Sequence, residues 1–253
     1  MSGWLRVVGL GPGPERWITP EASDALATAT DLVGYRTYLA RVTPRADQRV
    51  HDSDNGDELK RAEHAIQLAR AGQRVAVVSG GDPGVFAMAA AVFEALERLP
   101  ESERAVDVTV LPGVTAMLAA AARLGAPLGN DFCVMNLSDN LKPWAVIETR
   151  LTLAARADFV IALYNPGSRA RAKQVHDAFA ILRAELPAET VVVFAKAVGR
   201  PDEEVAITTL GAADPAQADM RTLLLIGARA TRCIARPGGD AWVYSPRRLG
   251  DAP

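Results

Sequence analysis

The chain has 253 residues, with 28 lysines and arginines against 30 aspartates and glutamates, and a formal net charge of -2. So even a balance excludes a nucleic-acid binder that relies on a whole-surface basic field, and 49% hydrophobic with 23% charged residues is the make-up of an ordinary globular protein, not of a disordered chain. The length allows one large domain or two modest ones, and either can bury a sizeable core.

Leu5-Arg6-Val7-Val8-Gly9 reads as the first strand, opening almost at once after Met1, so no charged leader followed by a long apolar stretch is expected. Thr19-Pro20-Glu21 then marks a helix start, with an N-cap hydroxyl, proline at the first helical position and an early acid facing the dipole; the helix is predicted over 20–29. Further helices are predicted over 57–71 and 84–98, and further strands at Arg74 to Val78 and Val106 to Leu111. Strands separated by helices imply crossovers and a mainly parallel sheet, whose ligand crevice lies at the carboxyl ends of the strands. After Pro127 the pattern changes. Short strands are expected at 132–137, 159–163, 190–195, 205–209, 222–226 and 241–244, with clear helices only at 142–156 and 169–186. The short connections between the later strands call for antiparallel pairing. The boundary is placed near Pro112-Gly113, giving an α/β domain over 1–113 with glycine-rich loops and a mixed α/β domain over 114–253.

Cys133 and Cys233, a hundred residues apart and without ligand-like neighbours, form no zinc motif and read as small core residues. The apolar runs at 87–92 and 116–122 fall well short of the roughly 20 residues of a membrane span. A cytoplasmic protein with no membrane or nucleic-acid partner is therefore expected.

The chemistry is expected where glycine and proline clusters follow strands. In Gly9-Leu10-Gly11-Pro12-Gly13 the dinucleotide fingerprint fails at Pro14, and no acid closes a recognisable second strand about 20 residues on. In Ser79-Gly80-Gly81-Asp82-Pro83-Gly84-Val85-Phe86 the Asp82 carboxylate either binds a ligand or caps the helix starting near Gly84. In Leu111-Pro112-Gly113-Val114-Thr115-Ala116, Thr115 can serve as N-cap and ligand hydroxyl together. Three such loops after three strands converge on one edge of a parallel sheet, and that convergence outweighs any single loop.

In order and spacing these three motifs resemble the tetrapyrrole methylases, two-domain S-adenosylmethionine enzymes of cobalamin and sirohaem synthesis, and the likeness runs over nearly the whole chain. The segments Leu137 to Trp144, Leu163-Tyr164-Asn165-Pro166 and Tyr244-Ser245-Pro246-Arg247 resemble the ring-contracting branch of that family. The resemblance implies a parallel-sheet N-terminal domain, a mixed-sheet C-terminal domain and an active site in the cleft between them. It also implies a homodimer and a bound S-adenosylmethionine. Carried over by position, the cofactor contacts fall on Pro12, Gly81, Asp82, Pro83, Phe86, Thr115, Ala116, Asn165 and Ala197. The last two depart from the commoner family pattern, since Tyr164-Asn165-Pro166 stands where Tyr-Met-Gly is usual and Lys196-Ala197-Val198 where Asn-Gly-Thr is usual.

The implied activity is methylation of precorrin-3B at C-17 with ring contraction to precorrin-4. Methyl transfer from a sulfonium is an in-line displacement, so the main tasks are to hold the reacting atoms in line and exclude water. Ring contraction adds proton movement, for which Asp52 and Asp54, with Ser53 and His51 beside them, and Lys196 are the candidates; His51 alone reads as a loop residue before a helix. A polycarboxylate substrate needs cations, and Lys142, Arg169, Arg171, Arg200 and Arg247 are suitably placed in the sequence. The competing readings are methylation of another precorrin position, of cobalt-precorrin-3B or of a non-tetrapyrrole substrate, a nicotinamide-dependent oxidoreductase and a non-catalytic ligand-binding module. No metal site is expected.

Overall fold

The computed structural model describes residues 3–54, 56–167 and 173–248. The chain divides into two compact units, Met1–Thr115 and Ala116–Pro253.

The first unit is built on five parallel strands, β1 (Trp4–Gly9), β2 (Asp31–Tyr35), β3 (Arg49–Ser53), β4 (Arg74–Ser79) and β5 (Asp107–Leu111), in the order β3-β2-β4-β1-β5. The central pair β1 and β4 is buried on both faces and reads as near-continuous apolar sequence, as a doubly covered parallel strand must. One face packs on α1 (Pro20–Thr28) through Val8, Leu10, Ala22, Ala25 and Val78; the other packs on α3 (Glu58–Arg70) and α4 (Met88–Glu97) through Leu5, Val7, Ala62, Ile66, Val77 and Val92. The start of α1 is as the sequence predicts, with Thr19 Oγ1 accepting from the Ala22 N–H at 3.2 Å and Pro20 behind it. A four-residue helix, α2 (Arg36–Leu39), follows β2.

Three expectations for this unit need correction. A second strand does follow the first glycine loop: β2 begins at Asp31, which is wholly buried, and ends at Tyr35. His51 lies inside β3, not in a loop. The fourth helix begins at Met88, four residues later than Gly84, because Phe86 is in the left-handed region (φ 52) and Ala87 is extended (φ -141).

The second unit carries a five-stranded mixed sheet in the order β10-β9-β11-β8-β7, from β7 (Phe132–Asn136), β8 (Val160–Tyr164), β9 (Val191–Lys196), β10 (Glu204–Thr209) and β11 (Thr222–Ile226). Pairing is antiparallel except between β7 and β8. The expected antiparallel element is thus present. Since β11 runs against both β8 and β9, those two point the same way and end on the same edge. The helices α6 (Trp144–Arg156) and α7 (Lys173–Glu185) cover one core, in which Phe179 stacks on Phe194 at 6.1 Å between ring centroids. The strand expected at 241–244 is β13 (Gly239–Tyr244), which forms a small sheet with β12 (Arg232–Arg236) and the two-residue β6 (Gly125–Ala126); β12, β6 and α5 (Ala116–Leu124) are the unforeseen elements. No helix among the described residues is long and apolar enough to cross a membrane.

The cysteines separate. Cys133 is half-buried and burial pushes its thiol up to about 11, whereas Cys233 is exposed on β12 and is not a core residue. Iodoacetamide at pH 8 is expected to label Cys233 and spare Cys133, as peptide mass mapping would record.

Candidate active site

The three glycine loops meet at the carboxyl ends of adjacent strands, because β1 pairs with β4 on one side and β5 on the other. Their glycines face one another. Gly11 and Gly81 exchange two backbone hydrogen bonds, each 3.1 Å, and both need the left-handed backbone (φ 64 and 65) that glycine adopts at no steric cost. A Cβ on Gly113 would lie 2.3 Å from the Gly81 carbonyl oxygen, and one on Gly9 would lie 2.7 Å from the Gly113 nitrogen. The close backbone approach legible in the sequence is therefore, first of all, an approach of the loops to each other.

Asp82 locks this arrangement. Its Oδ1 accepts from the Gly84 N–H at 2.8 Å and its Oδ2 from the Gly113 N–H at 3.0 Å, so one carboxylate ties the β4 loop to the β5 loop. It does not cap α4, which starts six residues further on. Sequence reasoning missed the residue that holds the first loop. Arg41 donates from its guanidinium to the carbonyl oxygens of Leu10 (3.1 Å), Gly11 (2.9 Å) and Gly13 (2.8 Å), the Gly11 oxygen accepting from the Gly81 N–H as well. Nothing in the sequence separates Arg41 from the other surface arginines; only the three-dimensional return of the chain after α2 brings it there. The sequence-predicted Pro12, Gly81, Asp82, Pro83 and Thr115 thus lie on these three loops, and Phe86 just beyond.

In the second unit Asn165 follows β8 and Ala197 follows β9, on the shared edge of the sheet. Asn165 donates to Asn136 Oδ1 at the end of β7 (3.1 Å), and the same oxygen accepts from the Ser138 N–H (2.8 Å). Tyr164 reaches from the end of β8 to the start of α5, where its hydroxyl accepts from the Met117 N–H at 2.9 Å, next to Ala116. The loop after β9 is braced by Glu203, which accepts from the Gly199 N–H (2.5 Å) and pairs with Arg123 of α5 (3.0 Å).

Four described non-glycine residues have positive φ: Phe86 (52), Asp158 (61), Asn165 (51) and Ala197 (50). Asp158 closes α6, its N–H bonding to the Ala155 carbonyl at 3.1 Å, which is the ordinary use of a left-handed residue. The other three end no helix, and all three are among the nine positions expected to touch a cofactor. Asparagine tolerates this backbone, but for phenylalanine and alanine it costs on the order of 1–2 kcal/mol, and such residues concentrate at binding sites. Phe86 also leaves 47% of its surface exposed, unusual for a ring held in a strained turn. By the resemblance, Ala197 stands where glycine is usual. Ala197→Gly is accordingly expected to raise stability by up to about 1 kcal/mol, and Ala197→Val to lower it by about 2 kcal/mol or more, in paired denaturant melts.

The expected proton-transfer candidates carry partners. Asp52 takes the Arg36 Nε–H at 2.7 Å, which holds its carboxyl below the ordinary range, while Asp54 lies 3.7 Å from the same guanidinium. Lys196 pairs with Asp219 at 3.2 Å. Of the expected substrate cations, Arg169 and Arg171 lie outside the described residues. Lys142, Arg200 and Arg247 sit on three separate loops of the second unit. Burial, followed by repulsion from Arg150, lowers the Lys142 pKa.

The nicotinamide alternative finds no support at β2. The acid of this strand, Asp31, stands at its amino end, buried under Arg49, and the carboxyl end is Tyr35-Arg36.

The sequence profile of the family described as Tetrapyrrole (Corrin/Porphyrin) Methylases matches residues 5–214. The chain belongs to this family, and it is a methyltransferase of the two-unit fold just described. It is 55% identical over 98% of its length to a precorrin-3B C(17)-methyltransferase of Sinorhizobium sp, covering 97% of that protein. It is 44% identical over 90% of its length to a probable cobalt-factor III C(17)-methyltransferase of Salmonella typhimurium, covering 93% of it. The solved structure of the methyltransferase CobJ matches with a TM-score of 0.92 and 52% identity, over 97% of this chain and 100% of that one.

Proposed function

We propose that the chain is an S-adenosylmethionine-dependent C-methyltransferase that methylates precorrin-3B at C-17, with contraction of the ring to precorrin-4, in cobalamin biosynthesis. The observation that carries the cofactor half is the set of left-handed residues Phe86, Asn165 and Ala197, strained where no fold element requires it and coincident with positions the family uses for its cofactor. The substrate half rests on 55% identity to a protein named for that reaction, against 44% to one named for a cobalt-bearing ring, which favours the metal-free substrate.

The residues that would hold the cofactor are Pro12, Gly81, Asp82, Pro83, Phe86, Thr115, Ala116, Asn165 and Ala197. When bound, S-adenosylmethionine supplies an electrophilic methyl whose sulfur leaves uncharged, so the protein need not protonate a leaving group. The chain's own task is then mostly positional. Arg41 and Asp82 fix the three loops, and the exposed Phe86 ring offers apolar surface that excludes water. Lys142, Arg200 and Arg247, with Arg169 and Arg171, would pair with substrate carboxylates. For the proton steps of ring contraction, Asp52 is suited to accept or to orient rather than to donate, because Arg36 keeps it ionised. The same reading makes the protein a cytoplasmic homodimer; a single-chain mass at sedimentation equilibrium would remove the dimer from it.

Calorimetric titration with S-adenosylhomocysteine and with NAD tests the cofactor assignment. Saturable binding of the homocysteine adduct alone is expected, and binding of NAD alone would overturn the reading.

A further inference from the structure

Of the three histidines in the chain, two meet on the outer side of the first unit: His51 Nδ1 faces His64 Nε2 at 3.1 Å, from edge strand β3 and from α3. The other ring nitrogen of His51, Nε2, lies 2.8 Å from Oδ1 of the wholly buried Asp31. Asp31 is an acceptor only. Its two oxygens already accept from the Arg49 guanidinium (2.8 Å each) and from the Thr30 hydroxyl (2.7 Å). The proton in the Asp31–His51 contact must therefore sit on His51 Nε2, which leaves Nδ1 presenting its lone pair to His64.

We propose that His51 Nδ1 and His64 Nε2 together form a binding site for one divalent transition-metal cation. A carboxylate on the remote nitrogen of a ligating imidazole is the usual outer-shell arrangement of histidine metal sites; it fixes the tautomer and raises ligand basicity. With the His51 lone pair as acceptor, His64 Nε2–H donates across the 3.1 Å contact. In its other tautomer, with the proton on Nδ1, His64 turns a second lone pair to the same point, and a separation of about 3 Å between two imidazole nitrogens is the one that two ligands about 2.0–2.1 Å from a shared ion adopt. Arg49, which shares Asp31 with His51, is neutralised by that carboxylate, and His64 is exposed, so the position is open to solvent. No third His, Cys, Asp or Glu completes the group among the described residues, so water fills the remaining coordination positions. Binding is then weaker than at closed four-ligand sites and follows ligand softness and the usual divalent order, with Cu2+ ahead of Ni2+ and Zn2+. The bound ion would clip the edge strand to α3. This site is independent of the methyl-transfer assignment.

The test is calorimetric titration of untagged protein with Zn2+ and Cu2+ at neutral pH, with thermal melts in parallel, on the wild type, His64→Ala and His176→Ala. The exposed His64 and His176 make both variants tolerable to the fold. The wild type and His176→Ala are expected to take up one equivalent per chain with the same affinity, Cu2+ more tightly than Zn2+, and to melt higher when loaded. His64→Ala should bind about tenfold more weakly or worse, and its melting temperature should not respond. Equal binding by His64→Ala and wild type, or no saturable one-equivalent uptake by the wild type, overturns the proposal.

Discussion

Gly113→Ala is expected to abolish measurable binding of S-adenosylhomocysteine and to lower stability by about 3 kcal/mol, more than any other single methyl added to the loops. The added carbon would stand 2.3 Å from the Gly81 carbonyl oxygen and 3.0 Å from the Gly9 backbone. Those neighbours are main chain, not side-chain tips that can swing away, so the β1, β4 and β5 loops must separate. Separation also breaks the bond from the Gly113 N–H to Asp82. Gly72→Ala is the control. Gly72 has φ 87 and nothing within 4 Å of the added carbon, so this variant should lose only about 1 kcal/mol through backbone strain and keep its affinity. Titration and urea melts of both variants separate damage to the loops from general destabilisation; tight binding by Gly113→Ala would mean that loop convergence does not make the cofactor site.

Asp82→Ala should weaken cofactor binding by ten- to a hundredfold, equivalent to about 1.4–3 kcal/mol, while the chain stays folded. Two backbone donors, those of Gly84 and Gly113, lose their acceptor, and each such loss costs about 1 kcal/mol or more when water cannot fully replace it. Asp82→Asn keeps a single acceptor oxygen and should fall between. If Asp82→Ala binds like the wild type, the carboxylate is a loop brace without bearing on the cofactor.

A third expectation concerns Asp31. Asp31→Asn should cost about 2 kcal/mol at neutral pH, since Arg49 and His51 lose their anion. The native pKa of Asp31 is depressed, so its contribution is complete above the unfolded value near 3.8 and is lost as pH falls through the lower folded value. The stability gap between wild type and variant should therefore close in acid, as melts taken between pH 7 and pH 3 would record.

The strands β1, β4 and β5 were legible because β1 and β4 are largely apolar runs, β5 alternates, and a glycine-bearing cluster follows each, where the loops converge. Two strands escaped for physical reasons. β2 opens on an acid and contains Gly34, while β3, Arg49-Val50-His51-Asp52-Ser53, is an edge strand whose α3-facing side pairs with polar groups: Arg49 and His51 with Asp31, and Ser53 with Arg61. In β3 that polarity concealed a periodicity of two, and β2, buried at four successive positions, has none to read. α4 was expected too early because the Ala-rich stretch from Ala87 carries high helix propensity, whereas the left-handed turn at Phe86 delays its start. β12, Arg232 to Arg236, is exposed along its whole length and offered no alternation to read. In the site, glycine spacing and family resemblance located the loops, but the agents that fix them, Arg41 and the double contact of Asp82, depend on chain returns of about thirty residues and have no local signal. The left-handed backbone at Ala197 likewise has no signature in an alanine.

Incubation of the protein with precorrin-3B and S-adenosylmethionine labelled in its methyl carbon, with the product analysed by mass spectrometry and carbon NMR, tests the functional account most directly. The account predicts one labelled methyl per product molecule, attached at C-17 of a contracted ring. Label at another ring carbon, an uncontracted ring, or no transfer by protein that binds the cofactor would contradict it.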